Sequence, residues 1–513
     1  MVCLWLALAA TAGGADHPSI VYSLWGTHTG DDLGASVAAI DDLDDDGAMD
    51  FAVGATQSFF DPDVPNTGYV LLVSGKTGKV IRALRGGADE RIGFSVRAFQ
   101  DLDGDGKRDV LVVNTYQQIK ILSSASGALL KMIQADPEGY PMNLVLMSDI
   151  TGDGIQDFLV GQSSYSNGLI LVCGKVAVFS SIDGSLLWQK IGEMRSGLLG
   201  ASVADVGDID GDGWSDVAVG EPGHMSDSSE YEGPDRVYIL SGRTGKEIRR
   251  LGEDPTYHNF GIEMANLGDL DGDGRPEIAI GAPGYAVGSR KNLGWVGIYS
   301  TPSFRLVREF QGHDPSSLDT NGDLFGSIIA SAGDVDGDGV QDLLIGTSRT
   351  GINADWGLIE LRSGRTGSLL AGFEGFQTFR QPFASAMGPL GDIDGDGKVE
   401  FLIGSVDRDE AFVARYDPGL PAFIRGDANG DGEVDLSDAI ALLEVFFFDA
   451  PMGPCAKAFD FNGDEAIDGY DPLYLIFYLF RRGWSPPTPF PDCGSYGGFQ
   501  DERVDCLRST CSR

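Results

Sequence analysis

The chain of 513 residues is poor in basic residues and in histidine. It has 37 lysines and arginines against 77 aspartates and glutamates, with five histidines, and its formal net charge is −40. A surface this acidic repels polyphosphate, which excludes nucleic acid as a default partner. The histidines are scattered outside any HExxH-type zinc pattern, and the sequence has no strong GxGxxG or Walker pattern. Because no catalytic constellation is found, we expect a protein that is not an enzyme.

Long apolar runs are also missing. After the first residues no stretch reaches the roughly 18 apolar residues that a spanning helix needs, so we expect no membrane span. The start, MVCLWLALAATAGGA, has an apolar run followed by small residues. This pattern is typical of a secretory signal peptide, which we place at residues 1–15. It predicts a secreted or cell-surface protein.

Cysteine is scarce and unevenly placed. Cys3 falls in the predicted signal peptide, and Cys173 lies in the apolar run LILVCGKVAVF, where a buried core thiol is expected. The remaining four cluster in the C-terminal tail and predict two disulfides made in an oxidising compartment. Four cysteines allow three pairings; we favour Cys455–Cys493 and Cys506–Cys511.

What the chain has in abundance is one acidic loop, repeated seven times. The copies read DDLDDDGAMD, QDLDGDGKRD, SDITGDGIQD, GDIDGDGWSD, GDLDGDGRPE, GDVDGDGVQD and GDIDGDGKVE. Successive copies are 59, 48, 59, 61, 65 and 58 residues apart. A period in this range indicates a repeat architecture, either closed or stacked.

Each copy has the outline of a metal site when its second printed residue is counted as position 1. Oxygen side chains then stand at positions 1, 3, 5 and 9, and glycine stands at position 6. Ca²⁺ takes six to eight oxygen ligands in a flexible shell, and glycine permits the sharp turn, whereas Mg²⁺ demands a stricter octahedron. We therefore predict several Ca²⁺ ions. The predicted ligands, loop by loop, are Asp42, Asp44, Asp46 and Asp50; Asp101, Asp103, Asp105 and Asp109; Asp149, Thr151, Asp153 and Asp157; Asp208, Asp210, Asp212 and Asp216; Asp269, Asp271, Asp273 and Glu277; Asp334, Asp336, Asp338 and Asp342; and Asp392, Asp394, Asp396 and Glu400.

The segments around the loops predict four short strands per repeat. A small-residue run precedes each loop, a β-branched run ending in glycine follows it, and two further runs flank a turn such as GKTGK. Four strands split by glycine-rich turns are typical of a propeller blade. We predict an all-β, seven-bladed β-propeller over residues 18–420. The last unit lacks a fourth strand, and we expect residues 19–25 to supply it and so close the ring.

The repeat resembles the FG-GAP repeat of integrin α-subunit propellers. Phe260-Gly261 and Phe325-Gly326 match the FG element, and Gly281-Ala282-Pro283 matches the GAP element, while the third and seventh units read YPMNLVL and PFASAMG where FG is expected. The resemblance implies structural metal ions on one face of the ring and ligand binding on the opposite face.

Residues 421–484 contain two loop-then-helix units that resemble a dockerin module with EF-hand-like loops. The resemblance implies two further Ca²⁺ sites, with ligands Asp427, Asn429, Asp431, Asp435 and Asp438 in the first loop and Asp460, Asn462, Asp464, Asp468 and Asp471 in the second. It also implies a cohesin-like partner that docks at Leu436, Ser437, Gly469 and Tyr470, although a calcium-stapled C-terminal cap fits the sequence equally well. The tail, residues 485–513, is rich in cysteine and proline and is expected to be irregular.

Arg425-Gly426-Asp427 spells an adhesion tripeptide. Since Asp427 is also the first ligand of an EF-like loop, a metal role explains it better.

Together these features predict an extracellular binding or adhesion protein that recognises a protein or a glycan through loops on a rigid scaffold. Two alternatives stay open. One is a secreted hydrolase of polysaccharide or phospholipid, with a site assembled from loop residues such as His224, Glu232, Asp254 and His258. The other is a structural protein of the cell envelope.

Overall fold

A computed structural model describes most of the repeat region and parts of the C-terminal region. The described residues are 20–28, 30–57, 67–88, 90–114, 118–134, 139, 143–223, 234–252, 258–287, 291–312, 322, 324–347, 358–374, 384–406, 409–416, 425–429, 434–448, 456–459, 461, 469–481 and 495–496. The predicted signal peptide and the four tail cysteines lie outside these residues.

Seven antiparallel sheets follow one another along the chain, each beginning with the strand that precedes an acidic loop. Blades 1 to 3 consist of β2 (Leu33–Ile40), β3 (Asp50–Ala55), β4 (Tyr69–Val73) and β5 (Val80–Arg85); β6 (Ser95–Phe99), β7 (Asp109–Val113), β8 (Gln118–Leu122) and β9 (Leu129–Gln134); and β10 (Asn143–Leu146), β11 (Phe158–Gln162), β12 (Lys175–Phe179) and β13 (Leu186–Ile191).

The remaining blades repeat this order. Blades 4 to 7 consist of β14 (Val203–Gly207), β15 (Asp216–Glu221), β16 (Arg236–Leu240) and β17 (Glu247–Gly252); β18 (Met264–Asn266), β19 (Glu277–Gly281), β20 (Trp295–Ser300) and β21 (Arg305–Gln311); β22 (Ile328–Gly333), β23 (Asp342–Gly346), β24 (Leu358–Arg362) and β25 (Leu369–Glu374); and β26 (Ala386–Gly391), β27 (Glu400–Ser405) and β28 (Glu410–Arg415) with β1 (Ile20–Trp25). The prediction of a seven-bladed all-β propeller is confirmed. The third and seventh units, which depart from the FG element, form blades of four antiparallel strands like the other units.

The core is divided into seven apolar clusters, each lying between two successive blades. The second strand of each blade contributes most to it: β15 is buried along its whole length, whereas the outer strand β17 is largely exposed. This gradient explains the continuous β-branched runs, because a strand covered on both faces needs no polar alternation.

The N-terminal strand closes the ring as predicted. β1 pairs antiparallel with β28, with Leu24 opposite Ala411 and Trp25 opposite Glu410. Tyr22 also donates a hydrogen bond from its hydroxyl to the carbonyl of Gly75 in blade 1, at 2.7 Å. The first and last blades are thus joined through one segment that belongs to both ends of the propeller.

The antiparallel order places two kinds of connection on opposite faces of the ring. The acidic loops between first and second strands, and the turns between third and fourth strands, lie on one face, called here the metal face. The connections between second and third strands, and those between blades, lie on the other, called here the loop face.

Two short helices follow the propeller, α1 (Leu436–Phe448) and α2 (Tyr470–Arg481), and they pack against each other around Leu442, Phe461 and Leu475. A two-residue strand, β29 (Ser495–Tyr496), pairs in parallel with β25. Within the described part of the chain, no helix is both long and apolar enough to cross a membrane. Cys173 is fully buried and free, as predicted for a core thiol.

Candidate metal centres

Position 1 of each acidic loop organises the turn by accepting backbone hydrogen bonds. In the second loop, Asp101 accepts N–H groups from Gly104 at 2.6 Å, Asp105 at 3.2 Å and Gly106 at 2.8 Å. The amide of the position-6 glycine is the main cause that holds the pKa of the first aspartate below its usual range in four loops; these aspartates are Asp42, Asp101, Asp149 and Asp269. The loop therefore presents an ionised carboxylate at neutral pH.

Glycine at position 6 is needed for the turn itself. Gly106 has φ 88° and Gly213 has φ 92°, in the left-handed region that side chains rarely adopt. This turn brings the carboxylates at positions 1 and 3 to the same side of the loop.

Position 9 differs from the other ligand positions because it is buried. All seven members are at most 1% exposed: Asp50, Asp109, Asp157, Asp216, Glu277, Asp342 and Glu400. One carboxylate oxygen accepts the amide of position 2, as in Leu102 to Asp109 at 2.7 Å. In four blades the other oxygen accepts an amide from the turn between strands 3 and 4; the donors are Gly75 (2.9 Å), Ser181 (3.3 Å), Gly242 (3.0 Å) and Gly364 (2.9 Å).

Burial raises the pKa of every position-9 carboxyl, and neighbouring loop carboxylates add to the effect in most of them. The pKa rises to about 6 for Asp109 and Asp342 and to about 7 for Glu400. A nearby cation would stabilise these buried carboxyl groups in their ionised form and lower their pKa, because a positive charge favours the ionised carboxylate.

The carboxylates converge in a way that fits a divalent cation. Oxygens from positions 1, 3 and 9 lie within 4.8 Å of one another in the first, second, fourth and sixth loops, and oxygens from positions 1, 3 and 5 do so in the fifth. Three position-9 oxygens, Oδ1 of Asp109 and Oε1 of Glu277 and Glu400, are buried without a hydrogen-bond partner in the described structure. Unpaired buried oxygens beside converging carboxylates are the donor set that Ca²⁺ prefers.

The third loop is assembled in the same way despite its threonine. The Thr151 hydroxyl donates to Oδ1 of Asp149 at 3.2 Å, while Asp157 accepts the amide of Ile150 at 2.9 Å. The seventh loop lies beside a cation of the chain itself: Arg415 contacts Asp394 at 3.1 Å and Asp396 at 2.5 Å.

The side chain at position 7 links neighbouring loops in two places. Lys107 in blade 2 donates to the carbonyl of Asp42 in blade 1 at 2.7 Å, and Trp214 in blade 4 donates to the carbonyl of Asp149 in blade 3 at 3.0 Å. No regular residue type at position 7 signals this link in the sequence.

The EF-like loops are described in part. Asp427, Asp438 and Asp471 are fully buried. Asp438 accepts the amides of Asn429 at 3.0 Å and of Asp435 at 2.9 Å, so the two ends of the first loop meet at its last carboxylate. The predicted ligands Asp431, Asp460, Asn462, Asp464 and Asp468 lie outside the described residues.

Burial also bears on the adhesion tripeptide. Arg425 is 1% exposed and Asp427 is fully buried. Neither side chain is accessible to a partner, which argues against use of the tripeptide in adhesion; the role of Asp427 as a loop ligand stays a prediction.

The loop face carries an apolar feature that the sequence analysis did not single out. Leu169 and Leu171, in the connection between β11 and β12, are 94% and 53% exposed. Of the four residues considered for a hydrolase site, only His258 is described, and its carbonyl accepts the amide of Gly284 at 3.1 Å.

With this geometry in place, comparison with protein families matches residues 101–160 and 208–280 to the FG-GAP-like repeat. These two segments are therefore similar to FG-GAP-like repeats, and they belong to blades 2, 3, 4 and 5 of the seven-bladed propeller. Similar proteins include integrin alpha-V of Gallus gallus, 30% identical over 212 residues (39% of this chain and 19% of the relative), and integrin alpha-4 of Xenopus laevis, 34% identical over 185 residues (34% and 17%). Integrin alpha-2 of Bos taurus is 33% identical over 153 residues (27% and 13%). The matched segments thus span less than a fifth of these relatives' length.

Proposed function

We propose that this protein is an extracellular, calcium-stabilised binding or adhesion protein that recognises a protein or a glycan on its loop face. The proposal rests on one observation: in this propeller, which is similar to those of integrin α-subunits, the candidate metal sites and the variable connections lie on opposite faces. Its carboxylate clusters occupy the metal face, which leaves the variable connections of the opposite face for a partner.

Calcium has a structural role in this proposal. The carboxylates at positions 1, 3, 5 and 9 and the Thr151 hydroxyl hold the ion, which supplies positive charge that the acidic loop lacks. In the four blades where the position-9 carboxylate also accepts an amide from the turn between strands 3 and 4, a bound ion would hold that turn as well and so stiffen both hairpins of the blade.

An extracellular location follows from the same chemistry. Extracellular calcium modules have dissociation constants of about 10⁻⁴–10⁻³ M, and such sites fill outside a cell but stay mostly empty in cytosol. The signal-like start and the proposed tail disulfides support the same compartment.

The exposed leucines support binding at the loop face. Exposed apolar patches can mark interaction sites, and these two exposed leucines are only two positions apart in the chain. Leu169 and Leu171 stand on a connection of the rigid third blade, where a partner could cover both.

For the C-terminal unit we propose docking onto a cohesin-like partner or capping of the chain end. Leu436 and Tyr470 are 48% and 66% exposed, so both docking positions are accessible.

Two measurements test the proposal. Calcium titration of the full chain should find between seven and nine ions, one for each acidic or EF-like loop, and chelation should lower the melting temperature in steps. Few bound ions with an unchanged melting curve would mean that the acidic loops are ordinary turns.

Partner binding is tested with immobilised extracellular-matrix proteins and glycans. We expect Leu169→Asp with Leu171→Asp to weaken capture at least tenfold, while Leu186→Asp on the outer strand β13 leaves it unchanged. Capture that responds equally to both variants would place the partner elsewhere, and turnover of a polysaccharide or phospholipid would favour the hydrolase alternative.

A further inference from the structure

The axis of the propeller contains a cavity of about 440 Å³. Its lining comes from the first strands of six of the seven blades, with apolar groups such as Val37, Ile329 and Met387 beside polar ones such as Ser95 and Asn143. The lining residues lie at the beginning of these strands, so the cavity occupies the loop-face end of the channel. A volume of this size suits a small organic ligand.

One basic and one acidic side chain face each other across this cavity. Arg97 comes from β6 in blade 2, and Glu263 immediately precedes β18 in blade 5. Among the described residues that line the cavity, they are the only charged side chains. In a ring of seven, these blades are separated by two blades on one side and three on the other, so the two groups stand on opposite walls. No ion pair within 4.0 Å joins them in the described structure.

Neither charged group is satisfied by the surrounding protein. Among the described residues, the hydrogen bond of the Arg97 guanidinium goes from Nη1 to the carbonyl of Val96 at 2.8 Å, and the Glu263 carboxyl has none. Serine hydroxyls of the lining are already used, as in Ser36 to the Gly93 carbonyl at 2.7 Å and Ser385 to the Gly404 carbonyl at 3.2 Å.

The electrostatics of the two groups agree with this arrangement. Burial raises the pKa of Glu263 to about 8 although Arg97 opposes the shift, and burial lowers the pKa of Arg97. Both side chains are only partly exposed, so each ionised form has lost part of its hydration without gaining an ion-pair partner among the described residues. A ligand of complementary charge could relieve this cost.

We propose that this axial cavity binds a small zwitterion of the amino-acid type, with its carboxylate on Arg97 and its ammonium group on Glu263. A simple anion would be repelled by the net charge of −40 and would leave Glu263 without a partner, whereas a simple cation would leave Arg97 without one. A net-neutral ligand with both charges meets both walls. The site does not depend on whether the surrounding loops bind a macromolecule.

The direct test is calorimetric titration of the full chain in calcium with ω-amino acids of increasing length, from glycine through 4-aminobutyrate to 6-aminohexanoate. Hexanoate and hexylamine serve as probes that carry only one of the charges. We expect one member of the series to bind with one site per chain and at least tenfold more tightly than either single-charge probe. If no member binds, or if a single-charge probe binds as well, the proposal is wrong.

Substitutions of Arg97 and Glu263 test whether the ω-amino acid binds in the axial cavity. Arg97→Gln and Glu263→Gln should each weaken binding of the best ω-amino acid at least tenfold, and Arg97→Lys should retain part of it because the charge is kept. Arg108→Gln, in the same blade but on the metal face, and Glu247→Gln on the outer strand β17 are matched controls that should bind like the parent protein. Parent-like binding by both channel variants would contradict the assignment, and if Arg97→Gln does not fold, Arg97→Lys and Glu263→Gln decide.

A pH series separates this site from adventitious binding. Within the described part of the chain, Arg97 is the only charged side chain that faces Glu263 in the cavity. The amine of the ligand, like that of lysine, stays protonated to about pH 10.4. Because Glu263 ionises with a pKa of about 8, binding of the zwitterion should tighten about tenfold from pH 7 to pH 9. In Glu263→Gln this tightening should vanish; a persistent slope would place the ammonium on another group. Capture of macromolecules by the Leu169 and Leu171 variant reports on the loop face separately, so the two proposals can fail independently.

Discussion

At the residue scale, the ninth position of each acidic loop has two roles that its sequence pattern does not distinguish. Its carboxylate is a candidate metal ligand, and it also accepts buried amides from its own loop and, in four blades, from the turn on the next hairpin. The carboxylates at positions 1, 3 and 5 are more exposed and act mainly within the loop. Replacing position 9 should therefore damage the fold even when no metal is bound.

A pair of variants in the fourth blade tests this difference. Asp216→Ala leaves the amides of Ile209 and Gly242 without their acceptor, and each such loss costs about 1–3 kcal/mol. We expect the variant to lower the free energy of unfolding both in calcium and in chelator. Asp212→Ala should lower it mainly in calcium, because Asp212 is only partly buried and accepts an amide of its own loop. Urea denaturation under both conditions measures the difference, and equal behaviour of the two variants would argue against a separate structural role for position 9.

The raised pKa values at position 9 predict an unusual pH dependence in chelator. Glu400 titrates near 7 in the folded protein and Asp109 and Asp342 near 6, whereas in an unfolded chain such groups titrate near 4. Between these values the folded state holds more protons, so its stability should be highest near pH 4–5 and should fall as the pH rises to about 7. A tenfold difference in proton affinity between the folded and unfolded states corresponds to about 1.4 kcal/mol for one group.

Saturating calcium should remove or reverse this trend, since the ion requires ionised ligands. Melting temperatures at pH 5 and pH 7.5, with and without calcium, make the comparison. If the protein in chelator were more stable at pH 7.5 than at pH 5, the prediction would be wrong.

At the scale of elements, the blade is held together by contact between its two hairpins on the metal face. The turn between strands 3 and 4 rests on the acidic loop so closely that a Cβ on Gly75, Gly242 or Gly364 would lie 1.8–1.9 Å from a loop carbonyl oxygen. Where serine or threonine takes this place the contact is rearranged, as in blade 5, where Thr301 donates its hydroxyl to the Pro276 carbonyl at 2.7 Å. The turn between strands 3 and 4 repeatedly begins with serine followed by glycine, as in Ser241-Gly242. This glycine is therefore required for packing against the acidic loop as well as for the turn.

Gly242→Ala tests the importance of this contact. The added methyl would meet the Ser215 carbonyl at 1.9 Å, and forcing the turn off its loop should cost about 1–3 kcal/mol. Gly388→Ala in β26 is the matched control, because a Cβ there meets nothing within 4 Å. Thermal unfolding in calcium should separate them; similar melting temperatures for both would mean that the turn relaxes without loss.

At the scale of the whole molecule, stability depends on closure of the ring. Each apolar cluster is shared by two blades, and the cluster between blades 7 and 1 contains residues from β1. If β1 detached, β28 would become an exposed edge, and the seventh blade would lose one side of its packing. A single side chain of β1 should therefore influence the entire propeller.

Leu24→Asp places a charge in that cluster, where Leu24 is 6% exposed. We expect a loss of about 2–5 kcal/mol together with self-association through the freed edge. Trp25→Asp changes the adjacent residue, which is 52% exposed, and should cost far less. Melting temperature and size-exclusion chromatography report both effects. A Leu24→Asp variant that stays monomeric with the parent melting temperature would show that β1 is not needed for closure.

Much of the fold could be predicted because its signals are local. Glycine-punctuated β-branched runs indicate strands, and the spacing of Asp42 through Asp392 counts the blades. The missing fourth strand of the last unit predicts β1. The metal ligands could be proposed for the same reason, since carboxylates of one loop lie within nine residues, and three of them converge in five of the loops.

Other features could not be read in this way. The hydrogen bond from Gly242 to Asp216 joins residues 26 positions apart, and the link from Trp214 to Asp149 joins different blades. Leu169 and Leu171 belong to an apolar run that suggested burial, yet they are exposed.

The sequence by itself determined the number of blades, their order and the acidic loops, because each depends on residues within a few positions of one another. Only the tertiary structure decided that the ninth carboxylate is buried under a turn and that Arg97 and Glu263 share one cavity. Those two residues are far apart in the chain and meet because a seven-membered ring brings blades 2 and 5 to opposite walls of one channel. Such a meeting depends on the closure of the whole ring, which no local pattern encodes.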